Sequence, residues 1–407
     1  MKFLEGIKVI DCGTMGQGPL TGTALADLGA DVIRIEPAQA TDPLRANEQL
    51  WGVRLRFPTR DGGEIHLGFE PYNRGQRGMT LNLKSSGGQQ LLRKLVSQSD
   101  VFIQNWSRRV ASGLKLDYDS LRTAKRDIVY LESSAFGSAG PDRDAPGLDA
   151  MGVAFAGLMY LSSPHGSPPQ YPAGGLGDAA AALTGVAAIL GALFRKARTG
   201  EGANVEISQA GALIWLESLP ILAASVTKSA MRARPRSSEA NPLFNFYRCR
   251  DERWIMLGEW QPERKLKELY SELGLARLQE DERFNTFAAI RQHHTELIAE
   301  LDAAFAQKNS SDWIALLRRH QILVSVVNSV TDLIDNEQAR ANGYIQDYPH
   351  PVYGNISTAV FPMKCDGVAL TPAGAAPAWG QHTTEILAEW CGLGIDEVAS
   401  LYAAGTL

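Results

Sequence analysis

The stretch IKVIDCGTMGQGPLTGTALADLGADVIRIEP, residues 7–37, decides the fold of this 407-residue chain. An apolar segment at 7–13 runs into a glycine-rich turn, a helical segment ends at Gly29, and a second apolar segment follows at 31–37. This order predicts two parallel strands joined by a right-handed crossover, with a ligand crevice at their carboxyl ends. The turn suits a phosphate but lacks the GxGxxG spacing. A nicotinamide-dinucleotide enzyme and a turn without a ligand therefore both stay open.

The same alternation continues downstream. Strand-like segments stand at 79–83, 100–106 and 127–134, and a helical segment at 87–99 separates the first two. Repeated strand and helix units predict an α/β fold whose large domain is built on a Rossmann-like parallel sheet.

Basic residues stand beside two of these strands. Arg74 and Arg77 precede the strand at 79–83, and guanidinium groups match phosphate oxygens, so both are candidate phosphate ligands. A solvated turn is the equally weighted alternative. On the crevice side of the strand at 100–106, the chain places Asn105, Trp106, Arg108 and Arg109. Trp106 suits stacking on a purine and equally a place in the core.

The amino-acid composition limits the classes of function that the chain can have. The net charge is −5, with 21% charged and 44% hydrophobic residues, and the length is sufficient for two domains. This acidic balance argues against nucleic acid or an anionic membrane as a partner, because both require a large cationic face. The most apolar run, 179–194, is shorter than the roughly 18 residues of a membrane span and predicts a buried helix.

The cysteines and the N-terminus indicate the compartment. The four cysteines stand far apart, without CxxC spacing or neighbouring histidines, so they predict neither disulfides nor a metal site. The N-terminal residues lack the apolar core of a signal peptide. We therefore expect a cytoplasmic protein with reduced thiols.

Asp149 is the acidic residue in the apolar stretch PGLDAMGVAFAGLM, residues 146–159. The apolar spacing predicts a helix that starts at Asp149. One interpretation is that Asp149 only caps this helix, since Asp is a preferred N-cap residue. The other is that it is a carboxylate nucleophile, kept ionised by the positive end of the helix dipole and desolvated by apolar walls. The two interpretations are compatible.

A series of segments in a fixed order resembles the class III CoA-transferase family, which includes formyl-CoA and carnitine CoA-transferases and is related to α-methylacyl-CoA racemase. After the first strand and helix come NRGQRGMTLNLKS, DVFIQNW, LKLDYDSL, FGSAGPDRDAPGLDAMGVAFAGLM, GLGDAAAALTGVAAILGAL and TGEGANVEISQAGAL. The similarity continues through DERFNT, NSVTDLIDNEQARANGYI and GQHTTEIL. It therefore spans nearly the whole chain.

The resemblance implies a covalent CoA transfer on Asp149. Asp149 would attack an acyl-CoA thioester to give a mixed anhydride and CoA thiolate, and the thiolate would then form an aspartyl-CoA thioester. An acceptor acid would reverse these steps. CoA thioesters are then substrates, and no permanently bound cofactor is implied.

The resemblance also assigns CoA contacts and separates the branches of the family. Arg77 matches a basic residue of the family, and Asn105 with Trp106 matches its Asn-aromatic pair. Two family arginines are missing at Pro37 and Gly113, and the substitutes we consider are Arg45, Arg108 and Arg109. In the first loop, Gly16 replaces a family glutamine and Gln17 follows it. In the racemase branch a His precedes the nucleophile; here it is Leu148, so racemisation is not expected. Asp178 is interpreted as a helix-start or hinge residue rather than as a catalyst.

The domain organisation combines pattern and resemblance. Residues 1–225 form the first part of a large CoA-binding domain, 226–242 are a polar linker, and 243–327 are a smaller α+β domain. By resemblance, 328–407 return to the large domain, and two chains interlock through their linkers. The partner is a second copy or a related subunit.

Two further hypotheses remain. A CoA-binding, non-catalytic subunit of a hetero-oligomer is the alternative from a different class, and retention of Asp149 argues against it. The arm at 38–70, with Trp51, Arg54 and Arg56, is expected to line the pocket of the acceptor acid.

Overall fold

The computed structural model describes residues 2–50, 52–58, 64–172 and 174–407. The chain divides into two compact units. The larger comprises the chain up to Met159, Gln170–Ala230 and Glu337–Leu407, and the smaller comprises Tyr160–Pro169 and Met231–Asn336. Trp51 of the arm lies outside the described residues.

Membership of Tyr160–Pro169 in the smaller unit differs from the prediction that 1–225 is one continuous part of the large domain. Two contacts hold this segment there. The amide of Ala233 donates to the carbonyl of Leu161 at 2.9 Å, and the guanidinium of Arg232 lies 4.6 Å from the ring centre of Tyr160.

The helices and strands follow in chain order. Up to residue 161 they are β1 (Lys8–Asp11), α1 (Gln17–Asp27), β2 (Asp31–Pro37), α2 (Pro43–Ala46), β3 (Gln49–Leu50), β4 (Val53–Arg54), β5 (Arg56–Pro58), β6 (Glu64–His66), α3 (Glu70–Asn73), β7 (Arg77–Leu81), α4 (Ser86–Ser97), β8 (Val101–Gln104), α5 (Arg108–Gly113), α6 (Tyr118–Arg122), β9 (Val129–Ser134), α7 (Asp149–Ala156) and α8 (Leu158–Leu161). Beyond it they are α9 (Leu176–Thr199), β10 (Ala203–Ser208), α10 (Gln209–Leu216), α11 (Ser218–Thr227), β11 (Phe246–Arg248), β12 (Trp254–Leu257), α12 (Leu266–Glu272), α13 (Phe287–Gln292), α14 (His294–Phe305), α15 (Ser310–Arg319), β13 (Val324–Val326), α16 (Val330–Ile334), α17 (Glu337–Ala341), β14 (Ile345–His350), β15 (Gly354–Ala359), β16 (Lys364–Cys365), β17 (Val368–Ala369), α18 (Thr383–Cys391) and α19 (Ile395–Ala403).

The larger unit is built on a six-stranded parallel sheet with the order β10-β9-β8-β1-β2-β7. When these six strands are renumbered 1 to 6 in chain order and read from β7 to β10, the order is 3-2-1-4-5-6. This is the doubly wound order, so the Rossmann-like prediction is confirmed. The strand order reverses between β1 and β8. In such sheets the ligand crevice lies outside the carboxyl ends of the strands at this point.

Successive residues of each strand point to opposite faces of the sheet, and each face packs against its own hydrophobic core. Val9 and Val101 face a core that includes residues of α1 and α9. Their neighbours Ile10 and Phe102 face a core with α4 and α18, so the C-terminal segment covers this second face. Both faces of the sheet are therefore buried, as the apolar strands predict.

Helix α9 extends beyond the predicted 179–194, because Leu176–Thr199 is a single 24-residue helix. Small residues let it approach α1: a Cβ added at Gly185 would lie 3.0 Å from Oγ1 of Thr21. Among the described residues, α9 alone is long and apolar enough to cross a membrane, apart from the bent pair α10 and α11. Its packing in the core explains its composition, and α9 is weak support for a span.

The smaller unit contains a three-stranded antiparallel sheet, β11-β12-β13, together with α12 to α15. Its core is formed mainly by leucine side chains and contains a cluster of aromatic rings. The rings of Tyr247 and Phe305 stack at 5.0 Å, and the indole of Trp313 donates to the carbonyl of Phe305 at 2.9 Å.

Candidate active site

Asp149 lies at the start of α7, but it does not cap the helix. Leu148 occupies the N-cap position, and Asp149 is the first helical residue. One carboxylate oxygen, Oδ1, accepts the backbone N–H of Asp178 at 2.8 Å, and the other accepts the hydroxyl of Tyr171. The N-cap interpretation of Asp149 is therefore wrong, and its carboxylate is turned toward the start of α9.

Asp178 is the second carboxylate of the site. It lies in the first turn of α9, as predicted, behind a left-handed Gly175. Its Oδ1 accepts the side-chain amide of Gln209 at 2.7 Å, and it also accepts the backbone N–H of Gln17. Burial, followed by the negative charge of Asp149, raises the pKa of Asp178 to about 6, against the lowering effect of these two hydrogen bonds.

The loop after β1 meets this carboxylate pair directly. A Cβ on Gly16 would lie 2.0 Å from Oδ2 of Asp178, so a side chain there would displace this carboxylate. Gln17 begins α1, and its side-chain oxygen accepts the hydroxyl of Ser133 at 2.6 Å. The first loop thus supplies a backbone donor to Asp178 and forms one wall of the site.

Asn105 fixes the loop from the neighbouring strand. Its Oδ1 accepts the backbone N–H of Thr14, and its Nδ2 donates to the carbonyl of Thr14, both at 2.7 Å. Because β1 and β8 flank the switch point, this pair of bonds ties together the two chain segments that leave the sheet there. Asn105 therefore lies on the crevice side, as predicted, and its side chain organises the loop; its contact with CoA stays a prediction.

A cavity of about 630 Å³, here called the site cavity, opens onto both carboxylates. Its lining includes Gln17, Trp106, Asp149, Tyr171, Asp178 and Gln209. Its size falls in the range of small-molecule sites. Of the predicted residues, the site cavity brings together Asp149, Gly16, Gln17, Asn105, Trp106 and Arg108.

A second cavity of about 530 Å³, here called the strand-end cavity, lies at the carboxyl ends of β1, β2 and β7. Thr14 and Trp106 line both cavities, which makes them neighbours. Arg109 lines the strand-end cavity, as does Lys84, and both side chains are exposed. Lys84 was not identified from the sequence.

Arg74 and Arg77 lie elsewhere, which corrects their assignment as phosphate ligands. Arg74 is buried and forms a bidentate pair with Asp27, at 2.6 and 2.7 Å. Arg77 begins β7, at the amino edge of the sheet, and pairs with Asp31, Glu385 and Glu389. Neither lines the site cavity or the strand-end cavity.

The other arginines, considered as substitutes for the missing family arginines, differ in whether a carboxylate already binds their guanidinium group. Arg45 is buried and bonds both oxygens of Glu36, at 2.8 and 2.9 Å, so it serves the fold. Arg108 lines the site cavity and pairs with Glu132 at 2.9 Å and Glu206 at 3.1 Å. Arg109 has an exposed guanidinium in the strand-end cavity.

Sequence analysis did not identify Tyr171, Gln209 or Tyr72. Tyr171 and Gln209 each bond one carboxylate, and the charges of Asp178 and Asp149 add to burial in raising the pKa of Tyr72. These residues converge only in space, from segments far apart in the chain. Across the described residues, no group of three or more His, Cys, Asp or Glu side chains could hold a metal ion.

Comparisons with known proteins give the class. Residues 4–383 match the family described as CoA-transferase family III. The chain is 30% identical over 399 residues to (R)-2-hydroxy-4-methylpentanoate CoA-transferase of Clostridioides difficile, covering 97% of this chain and 96% of the relative. It is 27% identical over 393 residues to succinyl-CoA:glutarate CoA-transferase of Mus musculus, covering 96% and 86%.

The fold agrees with a solved structure, that of a CAIB/BAIF family protein from Brucella suis. The TM-score is 0.84 at 25% identity, covering 95% of this chain and 98% of that protein. These similarities confirm the resemblance noted from the sequence. They decide against the alternative of a nicotinamide-dinucleotide enzyme. The chain belongs to CoA-transferase family III, and it is an enzyme of that class.

Proposed function

We propose that the enzyme moves CoA from an acyl-CoA to a free carboxylic acid through covalent intermediates on the carboxylate pair. The observation that carries this proposal is the pair itself. Asp149 and Asp178 adjoin each other in a cavity beside the switch point of the sheet, and the N–H of one binds the carboxylate of the other. Covalent catalysis of this kind requires a positioned, ionised carboxylate.

The two neighbouring cavities suit the two ends of CoA. We place the adenosine and phosphates in the strand-end cavity, where Lys84 and Arg109 offer exposed cations to phosphate oxygens. Trp106 lines both cavities and would contact the passing pantetheine arm. The thioester then reaches the site cavity. Arg74, Arg77 and Arg45 take no part in this placement, because their guanidinium groups are engaged with carboxylates.

Asp178, in place of the initially expected Asp149, is the better candidate for the nucleophile. Both carboxylates accept two hydrogen bonds, but one of those to Asp149 comes from the hydroxyl of Tyr171, which covers it. Asp178 faces the glycine loop along which CoA would lie. With a pKa of about 6 it is ionised at neutral pH yet more basic than an ordinary carboxylate, and basicity favours attack on a thioester.

The steps balance without an external proton donor. Asp178 attacks the thioester carbon, the C–S bond breaks, and an acyl-aspartyl anhydride and CoA thiolate form. The thiolate attacks the aspartyl carbon and releases the donor acid, leaving an aspartyl-CoA thioester. The acceptor carboxylate repeats these steps in reverse and regenerates Asp178. Asp149 would hold the start of α9 through its bond to the Asp178 N–H.

The alternatives are less well supported. Leu148 carries no titratable group, so a second base for α-proton exchange is missing at the position expected for a racemase. The retained carboxylate pair argues against a non-catalytic subunit. We further propose a cytoplasmic dimer with a second copy, or alternatively a related subunit, because α11 exposes Leu219, Leu222 and Val226, at 68%, 62% and 74%.

The test is CoA exchange between a panel of acyl-CoA donors and isotopically labelled acids, followed by mass spectrometry. We expect label in the new thioester with the native enzyme and a loss of at least roughly a thousandfold with Asp178→Asn, since removal of a covalent nucleophile has effects of that order. Native enzyme that hydrolyses thioesters but transfers no CoA would overturn the proposal.

A further inference from the structure

The shape and charge of the cavities also point to the class of acid. We propose that the substituent of the transferred acid occupies a third, apolar cavity beside the carboxylate pair, so that bulky monocarboxylic acids are preferred over dicarboxylic acids. This inference rests on the proposed function, because it requires acyl transfer at Asp149 and Asp178. The cavity, here called the side cavity, has a volume of about 740 Å³.

The side cavity continues from the site. Glu132, Ser134 and Gly137 line both it and the site cavity. It runs between α9 and α10, the helices that carry Asp178 and Gln209. With a rise of about 1.5 Å per residue, Leu183 and Ala187 lie roughly 7 and 13 Å along α9 from Asp178. A substituent bonded to a carbonyl carbon at Asp178 is therefore within reach of Leu183, whereas only longer acyl chains extend to Ala187.

The walls present carbon to a ligand. Leu183, Ala187, Ala212, Trp215 and Leu216 supply apolar surface. The hydroxyls at the wall are largely turned to the main chain: that of Thr184 donates to the Ala180 carbonyl at 2.8 Å, and that of Ser208 accepts the Gly211 N–H at 2.9 Å. Burial against such a wall is favourable for an apolar group and costly for a charged one.

Charged residues that line the side cavity disfavour the binding of a second carboxylate. Glu132 and Glu206 both line the side cavity, and the guanidinium of Arg108 is already bound to both. No lysine, arginine or histidine stands among the described residues that line the side cavity. The distal carboxylate of a dicarboxylic acid would therefore meet two acids and no free cation, which disfavours its binding.

The test compares acceptors with acetyl-CoA as the common donor. We expect kcat/KM for 4-methylpentanoate and phenylacetate to exceed that for succinate and glutarate by roughly tenfold or more, the usual effect of a filled apolar pocket. Leu183→Trp fills the part of the side cavity nearest Asp178, so it should lower kcat/KM for the bulky acids roughly tenfold and leave labelled acetate within about twofold.

The second part of the test changes the charge of the cavity wall. Leu183→Arg places a cation in the side cavity and should shift the ratio of kcat/KM values toward glutarate by roughly tenfold. The matched control is Leu190→Arg, two turns further along the same helix, exposed and outside the lining. It should leave the ratio unchanged.

The outcomes separate this inference from the proposed function. If the native enzyme transfers CoA but prefers dicarboxylates, or if Leu183→Arg and Leu190→Arg change the ratio equally, the side cavity does not hold the substituent and the inference is overturned. If neither acid class receives CoA and no covalent intermediate forms, the proposed function fails with it.

Discussion

Asp178 combines two properties that a carboxylate rarely has together. It is ionised at neutral pH, and its pKa is nevertheless raised to about 6 because burial and the charge of Asp149 both penalise the anion. The hydrogen bonds from Gln209 and Gln17 limit this rise. The balance of these effects gives a basic, positioned carboxylate, as a nucleophile requires.

The pH dependence follows with a definite sign. Attack needs the ionised form of Asp178, so kcat/KM should fall as the pH drops through about 6. In Asp149→Asn the neighbouring negative charge is absent, the pKa of Asp178 falls, and the acidic limb should move to lower pH by roughly half a unit or more. The measurement is the pH profile of kcat/KM.

Asp142→Asn is the control for that profile. Asp142 is an exposed acid in the loop that precedes α7, and it does not line the site cavity. Its removal should leave the acidic limb in place. A limb that stays at the same pH in Asp149→Asn would show that the two carboxylates are not coupled.

At the scale of elements, apolar periodicity was sufficient to predict the parallel strands and the helix α9, although only one face of α9 is buried. It did not predict what Arg74 and Arg77 contact. An arginine before a strand lies at the amino edge of a parallel sheet, opposite the ligand crevice, so the strand direction alone argues against a ligand role for Arg77. The partners of Arg74 come from α1 and from Ala359, which no local pattern reveals.

Arg74 therefore serves as a test of stability. Arg74→Met leaves the buried carboxylate of Asp27 without its bidentate partner, and we expect the free energy of unfolding to fall by about 3–5 kcal/mol. The KM for acyl-CoA should not change. Denaturant unfolding and steady-state kinetics measure the two effects.

The double variant Asp27→Leu with Arg74→Met removes both charges and should recover most of the lost stability. A raised KM for acyl-CoA with normal stability in Arg74→Met would instead return Arg74 to the CoA site.

At the scale of the whole molecule, resemblance predicted the family and the class of enzyme, whereas the site depended on long-range contacts. Asp149 and Asp178 are 29 residues apart, and Gln209 lies 31 residues beyond Asp178. The sequence motifs identified each segment. Only the packing of α7, α9 and α10 shows that Asp149 is turned toward Asp178 and covered by Tyr171.

The oligomeric state is tested at the exposed apolar face of α11. The chain has a mass of 44.2 kDa, and we expect light scattering to give twice that value for the native enzyme. Leu219→Glu with Val226→Glu should give the monomer mass, because burial of two carboxylates in an apolar interface is costly. Ile395→Glu, equally exposed on α19, should leave the dimer intact.

The most direct test of the central claim is the location of the covalent intermediate. The enzyme is incubated with an acyl-CoA, trapped with hydroxylamine, digested and mapped by tandem mass spectrometry. A hydroxamate at Asp178 that persists in Asp149→Asn and disappears in Asp178→Asn is the predicted result. A hydroxamate at Asp149, or transfer without any trapped residue, would contradict the account.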